Sequence, residues 1–247
     1  MGDAERRLGG TTAVVMGASA GIGFATARAL VTAGATVVIT GRHSDDLDAA
    51  VARLDDHKVT AARVDGRNER DVRGFFARTG DIDHLVVVFG SDDDSATLFR
   101  DTEPASWRRH FDDKFFAHLL VLQHALPRMS RGGSITMVTG GAARSAAAGA
   151  SVWAATDGAM DAVIPTLAIE FAPLRINAVS PGMIHTRWWD RVPDARRERI
   201  FDAMARRIPA GRIGTPDDVA HAVRFLAENS YVTGVVLGVD GGAPLVG

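Results

Sequence analysis

Seven residues carry the most specific chemistry in this chain: Gly17-Ala18-Ser19-Ala20-Gly21-Ile22-Gly23, between a short apolar run and a helical pattern. Glycines let a backbone turn tightly and approach a pyrophosphate, and a helix N-terminus adds oriented N–H groups and partial positive charge. The spacing is G-x-x-x-G-x-G. A lone glycine cluster can also serve a turn alone, but the strand–turn–helix context points to phosphate. A second phosphate candidate is Arg42, in Thr40-Gly41-Arg42; its planar guanidinium either grips an oxyanion or is a solvated turn residue. His110, Lys114 and His118 recur every four residues. They form either a proton-handling stripe or a face of helix surface or subunit interface. Asp92-Asp93-Asp94 reads as a solvated loop. No second carboxylate cluster accompanies it, so no metal is assigned.

The elements that position these residues alternate in type. Thr12–Met16, Thr36–Thr40, Val59–Val64, Leu85–Phe89, Ser134–Val138, Arg175–Val179 and Val235–Val239 read as short buried strands. Between them fall helical patterns at Gly23–Ala33, Ser44–Leu54, Asn68–Arg78, Ser106–Met129, Val152–Phe171 and Asp217–Ala227, with Asn68 as a cap and Arg187–Arg207 as a basic amphipathic segment. Strands alternating with helices of this length require parallel pairing and right-handed crossovers. The expected fold is α/β, a single Rossmann-type doubly wound domain over residues 1–247, about seven parallel strands with helices on both faces.

The 247 residues suffice for a large core. With 46% hydrophobic and 23% charged residues, the composition is that of a soluble globular protein. A net charge of −2 gives no reason to expect nucleic acid or an anionic membrane as partner. The absence of cysteine excludes disulfides, thiolate nucleophiles and Cys-based zinc sites. MGDAERRLGG has no apolar core of signal-peptide length and no segment reads as a membrane span, so a cytoplasmic location is expected.

With further motifs, the chain resembles the short-chain dehydrogenase/reductase family nearly end to end. Asn177-Ala178-Val179-Ser180-Pro181-Gly182 is similar to that family's turn beneath the nicotinamide. Arg212-Ile213-Gly214-Thr215-Pro216-Asp217-Asp218-Val219-Ala220 and Val239-Asp240-Gly241-Gly242 resemble its C-terminal signature. The resemblance implies a cofactor site at Gly17, Ser19, Ala20, Gly21, Ile22, Gly23, Arg42, Asp65 beside the adenine, Gly90, Pro181, Gly182, Ile184 and Thr186. Relatives that prefer NAD carry an acid near Gly41 for the ribose hydroxyls; here none is present, so NADP(H) is favoured over NAD(H). Ala20 stands where a basic residue is frequent in NADP-binding relatives.

The reactive positions depart from the family's Asn, Ser, Tyr and Lys. The only tyrosine, Tyr231, and the two lysines, Lys58 and Lys114, cannot make a Tyr-x-x-x-Lys pair. Carried over by motif, Lys114 takes the Asn position, Gly140 the Ser position with Thr139 just before it, Trp153 the Tyr position and Asp157 the Lys position. Losing a positioned general acid typically costs ~10²–10⁴ in rate, and an indole N–H does not supply a proton near neutral pH. The resemblance implies that Lys114 and Asp157 lie close together. An ion pair is expected, as a structural lock or as a general acid and base for different chemistry. Trp153, Trp188 and Trp189 form either an aromatic wall for a flat or apolar substrate or ordinary core and lid packing.

Two readings follow: an NADP(H)-binding oxidoreductase with reassigned acid–base work, or a non-redox enzyme (cyclase, isomerase or lyase) or silent subunit on the same scaffold. The expected partners are a small-molecule substrate and, by resemblance, further copies of the chain in a homodimer or homotetramer. Residues 185–210 would be the substrate lid, whose arginine clusters suit either an anionic ligand or a solvated helix face.

Overall fold

The computed structural model describes residues 7–91 and 96–246, so Asp92, Asp93 and Asp94 lie outside the described residues. Seven strands form one parallel sheet: β1 (Thr12–Met16), β2 (Thr36–Gly41), β3 (Val59–Arg63), β4 (Ile82–Val87), β5 (Met129–Val138), β6 (Arg175–Pro181) and β7 (Val236–Val239). Their spatial order is β3-β2-β1-β4-β5-β6-β7. The winding reverses between β1 and β4, and a crevice at the carboxyl ends of the strands on either side of such a reversal is where open α/β sheets take ligands.

Strand alternation divides the core into two layers. Val15, Val37, Ile39 and Val86 face α1 (Gly21–Thr32), α2 (Ser44–Leu54) and α8 (Pro216–Glu228), through Leu30, Leu47 and Val223. Val14, Met16, Leu85 and Ile135 face α3 (Glu69–Arg78), α5 (Ala117–Ala125) and α6 (Ser151–Glu170), through Phe76, Val121 and Ile164. Each fully buried aliphatic or aromatic side chain of this kind contributes about 1.5–3 kcal/mol. The caps are local: the Asn68 side chain accepts from Asp71 N–H at 3.1 Å, and Thr215 and Asp218 form a capping box on α8.

Four elements differ from the sequence reading, the first being β4, which spans Ile82–Val87 rather than Leu85–Phe89. The long helix expected over Ser106–Met129 is α4 (Pro104–His110), a π-helical turn over Phe111–Phe116, and α5, ending at Ala125. The π turn shifts the phase of the helix at Lys114, a feature often found at functional sites. Next, β5 begins at Met129 rather than Ser134, because Met129 pairs with Ile82 before a bulge. The bulge needs Gly133, where a Cβ would lie 2.5 Å from Asp83 O. Finally, the basic segment after β6 is not one helix. A 3-10 turn at Arg187–Arg191 stops at Val192-Pro193, and α7 (Asp194–Ala205) starts after it, since proline cannot donate the N–H that would continue the first turn.

Candidate active site

The turn after β1 is held by its backbone. Gly17 N–H and Ala18 N–H donate to Thr40 O at 3.0 and 2.9 Å, so the turn is fastened to the end of β2. Gly17 has φ +84°, and a Cβ there would meet the Val88 carbonyl. At Gly23 a Cβ would lie 2.8 Å from Ala18 Cα and nearer still to Gly17 O. Side chains at either position would push the turn off the helix. Ala20, the residue capping α1, offers no side-chain acceptor, and no acid stands in the first turn. The first amides of α1, Ile22 among them, thus face the crevice as donors for an oxyanion. Across them, Thr186 Cβ and Cγ2 lie 3.7 Å from where Gly21 would carry a Cβ, so the loop after β6 covers the helix start. This is a cradle in which a dinucleotide pyrophosphate fits.

The β2–β3 end of the crevice is more crowded than the sequence suggests. Ser19 approaches Gly41, with Ser19 Cβ 3.8 Å from a Gly41 Cβ position. Asp65 is bound to Arg67, accepting from its N–H at 3.0 Å and its Nε at 3.2 Å. Burial raises the Asp65 carboxyl, but the Arg67 amide and guanidinium, with Arg42 behind, outweigh it and hold the group below the usual carboxylate range. Arg67 Nη1 also lies 3.5 Å from Asp113 Oδ1, and Asp113 Oδ2 accepts from Ser91 Oγ at 3.0 Å. Gly90 is open, whereas Phe89 packs over Gly66 and stands 4.5 Å from the His118 ring centre.

Lys114, Asp157 and Gly140 converge at the next turn, beside Thr139. Lys114, on the π turn, donates from Nζ to Asp157 Oδ1 at 2.6 Å and to Thr139 O at 3.2 Å. The two side chains are 13% and 5% exposed, which makes the expected ion pair nearly buried. Gly140 is part of it: a Cβ there would sit 2.8 Å from Asp157 Cγ and closer to Oδ2. Position 140 is glycine because the Asp157 carboxylate fills the room a side chain would need. The neighbouring Gly141 would place a Cβ 2.9 Å from Pro181 O and 3.4 Å from Gly182 Cα, so this turn abuts the turn after β6.

His110, Lys114 and His118 are all on the buried side, rather than on helix surface. His118 does not fit a proton-handling stripe. Burial, with the Lys114 charge, pushes the His118 imidazole down to about 3, and its Nδ1 lies 2.7 Å from Lys114 O. His118 therefore stays neutral and serves the π turn as a buried hydrogen-bonding wedge.

The aromatic wall is also rearranged. Trp188 and Trp189 meet edge to face at 4.6 Å, Trp189 meets Phe201 at 5.0 Å, and Phe201 meets His185 at 5.0 Å. Half-buried Trp153 belongs to none of the ring pairs found among the described residues. Trp189 Nε1 donates to Ile184 O at 3.1 Å, tying the 3-10 turn at Arg187–Arg191 to the turn after β6. Among the arginines expected to serve a lid, Arg197 pairs with Asp194 at 2.8 Å and with Asp190 at 3.9 Å, within the same segment.

Asp161 was missed from the sequence. It sits one helical turn beyond Asp157, with Arg144 Nη1 3.7 Å from its Oδ2 and its side chain 17% exposed. Burial raises its carboxyl and Asp157 adds to the rise, while the Thr139 hydroxyl, Arg144 and Lys114 oppose it. The Asp157-x-x-x-Asp161 spacing was the available signal. Among the described residues, no three His, Cys, Asp or Glu side chains could hold a metal ion, and no helix is long and apolar enough to cross a membrane.

Residues 17–244 match the family described as Enoyl-(Acyl carrier protein) reductase. The chain belongs to the short-chain dehydrogenase/reductase family. It is 32% identical over 245 residues to a 3-oxoacyl-[acyl-carrier-protein] reductase of Rickettsia bellii, covering 97% of this chain and 99% of the relative. It is 35% identical over 242 residues to a cis-4-hydroxycyclohexanecarboxylate dehydrogenase of Sinomonas cyclohexanicum, covering 93% and 95%. Among solved structures, a small-chain dehydrogenase in complex with NADPH superimposes with a TM-score of 0.79 at 31% identity, covering 95% of this chain and 99% of that one. Both named relatives are oxidoreductases, and within the short-chain dehydrogenase/reductase frame the glycine turn, the turn after β6 and the Lys114–Asp157 pair all lie along the carboxyl edge of one sheet.

Proposed function

We propose that this protein is an NADP(H)-dependent oxidoreductase of the short-chain dehydrogenase/reductase family acting on a carbonyl or alcohol, with the Lys114–Asp157 pair in place of a tyrosine-centred mechanism. The observation that carries the reading is the pair itself: a nearly buried ammonium held at 2.6 Å beside the turn that meets Pro181 and Gly182. A lysine ammonium has three N–H donors. Asp157 Oδ1 and Thr139 O take two, leaving one for a substrate oxygen. Such a donor, fixed in advance where negative charge develops, stabilises that charge without reorganising. Asp157 orients the ammonium, and its second oxygen, beside Gly140, is an acceptor for a substrate hydroxyl. The nicotinamide cofactor supplies or takes the hydride; Gly17, Ile22, Gly23 and Thr186 would hold its pyrophosphate, and Arg42 a 2′-phosphate. The small-chain dehydrogenase solved with NADPH and the missing acid at Gly41 support the choice of NADP(H). The Trp188–Trp189–Phe201 lid suits an apolar or flat substrate.

Half-exposed Phe116 on the π turn and strongly exposed Ile169 on α6, 54% and 79%, support self-association through these two faces. To test the proposed activity, NADPH consumption is followed with 3-oxoacyl thioesters and alicyclic ketones, and NADPH formation with the matching alcohols. Turnover that falls ~10²–10³-fold in Lys114→Met, at unchanged NADPH affinity, is the expected result. Turnover undiminished in that variant, or no NADPH-linked change with either class, would refute the reading.

A further inference from the structure

The carboxyl ends of β2 and β3 place two arginines side by side. Gly41 and Arg63 are register partners in the parallel pair, and Arg42 follows Gly41 directly. Arg63 is exposed, and its Nε donates to Arg42 O at 3.1 Å. This bond ties the guanidinium to the backbone at the end of β2. One Arg63 nitrogen is thereby committed, and among the described residues the structure gives Nη1 and Nη2 no protein partner. The same corner of the crevice contains the Ser19 side chain, which approaches Gly41. Its nearest strand-end acid, Asp65, is engaged by the Arg67 amide and guanidinium. Arg63 also borders a surface hollow shared with Arg70, Arg73 and Arg78, where Asp71 is the one acid, so the local field is positive although the whole chain carries −2.

We infer that Arg63 is a second specificity residue of the cofactor site, contacting the cofactor's 2′-phosphate directly alongside Arg42. The inference rests on the NADP(H) reading above. An Arg fork presents parallel N–H donors to phosphate oxygens. Two forks from adjacent strands, one anchored to the other's backbone, enclose a dianion from two sides at little conformational cost. The arrangement also accounts for Ala20, where the chain lacks a basic residue on the glycine turn: β3 supplies the cation instead.

The test measures dissociation constants for NADPH and for NADH by nicotinamide fluorescence in the intact protein and in Arg63→Gln, Arg63→Lys, Arg42→Gln and the Arg42→Gln/Arg63→Gln double variant. Arg63→Gln is expected to weaken NADPH at least about tenfold, equivalent to about 1.4 kcal/mol, with NADH changed by less than about twofold. Arg63→Lys should fall between, and Arg63→Gln should weaken NADPH further in the Arg42→Gln background. Three outcomes overturn the inference while leaving the NADP(H) reading intact: a wild-type preference for NADPH that Arg63→Gln leaves alone, an equal loss for both cofactors, or no further loss in the Arg42→Gln background. A wild-type protein that does not prefer NADPH overturns both. Because Arg63 is exposed, a melting temperature close to wild type is expected for each Arg63 variant.

Discussion

Replacing Lys114 by methionine shortens the side chain by one atom and removes its charge. Asp157, 5% exposed and bonded to Lys114 Nζ at 2.6 Å, then keeps a carboxylate without its cation. Breaking a buried pair by removing one partner costs about 3–5 kcal/mol, mainly the penalty of the abandoned charge. In a chain of this size 1 kcal/mol shifts the melting temperature by roughly 2–4 °C, so a fall of about 6–20 °C is expected. Lys114→Met/Asp157→Leu removes both charges and fills similar volume; such replacements are commonly neutral or stabilising, so most of the loss should return. The assay is urea unfolding followed by circular dichroism for wild type, Lys114→Met, Asp157→Leu and the double variant, closed as a cycle. Single variants within ~0.5 kcal/mol of wild type, or a double variant equal to the sum of the singles, would show that the pair is not the buried electrostatic unit described.

Gly140→Ser should destabilise by about 1–3 kcal/mol, because its Cβ would be driven against the Asp157 carboxylate; the cost should shrink in an Asp157→Ala background, and urea midpoints that show the same cost in both backgrounds would refute the interlock. Burial pushes His118 down to about 3 and His84, whose Nδ1 lies 2.8 Å from Ser134 Oγ, down to about 4. Both are neutral in the fold but charge in the unfolded chain below about 6.5, so stability present above that pH is lost as pH falls, by up to ~1.4 kcal/mol per pH unit per histidine. His118→Leu should flatten the dependence of the urea midpoint between about pH 6.5 and pH 4, and an unchanged slope would refute the assignment. Gly23→Ala should abolish nicotinamide fluorescence enhancement, since its Cβ would enter the turn at Ala18 Cα; retained affinity would remove the turn from the cofactor site. Thr215→Ala should cost about 1 kcal/mol through loss of the α8 capping box, read as a shift in urea midpoint.

The sequence by itself determined the alternation of strands and helices, the glycine turn between β1 and α1, and the cap at Asn68. These are local: period, glycine placement and cap chemistry act within a few residues, so a linear reading reaches them. The lysine–aspartate pair was also foreseeable, because two charges stood where family motifs place neighbours. Other features were decided only when the chain closed on itself. The π turn at Phe111–Phe116 has no signature in residue types, and it brings Lys114 onto Asp157 while His118 stays buried and neutral. Gly140 is explained by a carboxylate seventeen residues further along the chain, through space rather than spacing. Trp153 belongs to none of the ring pairs found among the described residues, and Asp161 acquires its raised carboxyl from burial, with Asp157 adding to it against Thr139 and Arg144. Arg63 looks like an ordinary exposed strand residue until the parallel register sets it beside Gly41, where it is tied to the Arg42 carbonyl. Long-range proximity, and the desolvation that comes with it, is a property of the packed sheet and its helices, and no local pattern encodes it.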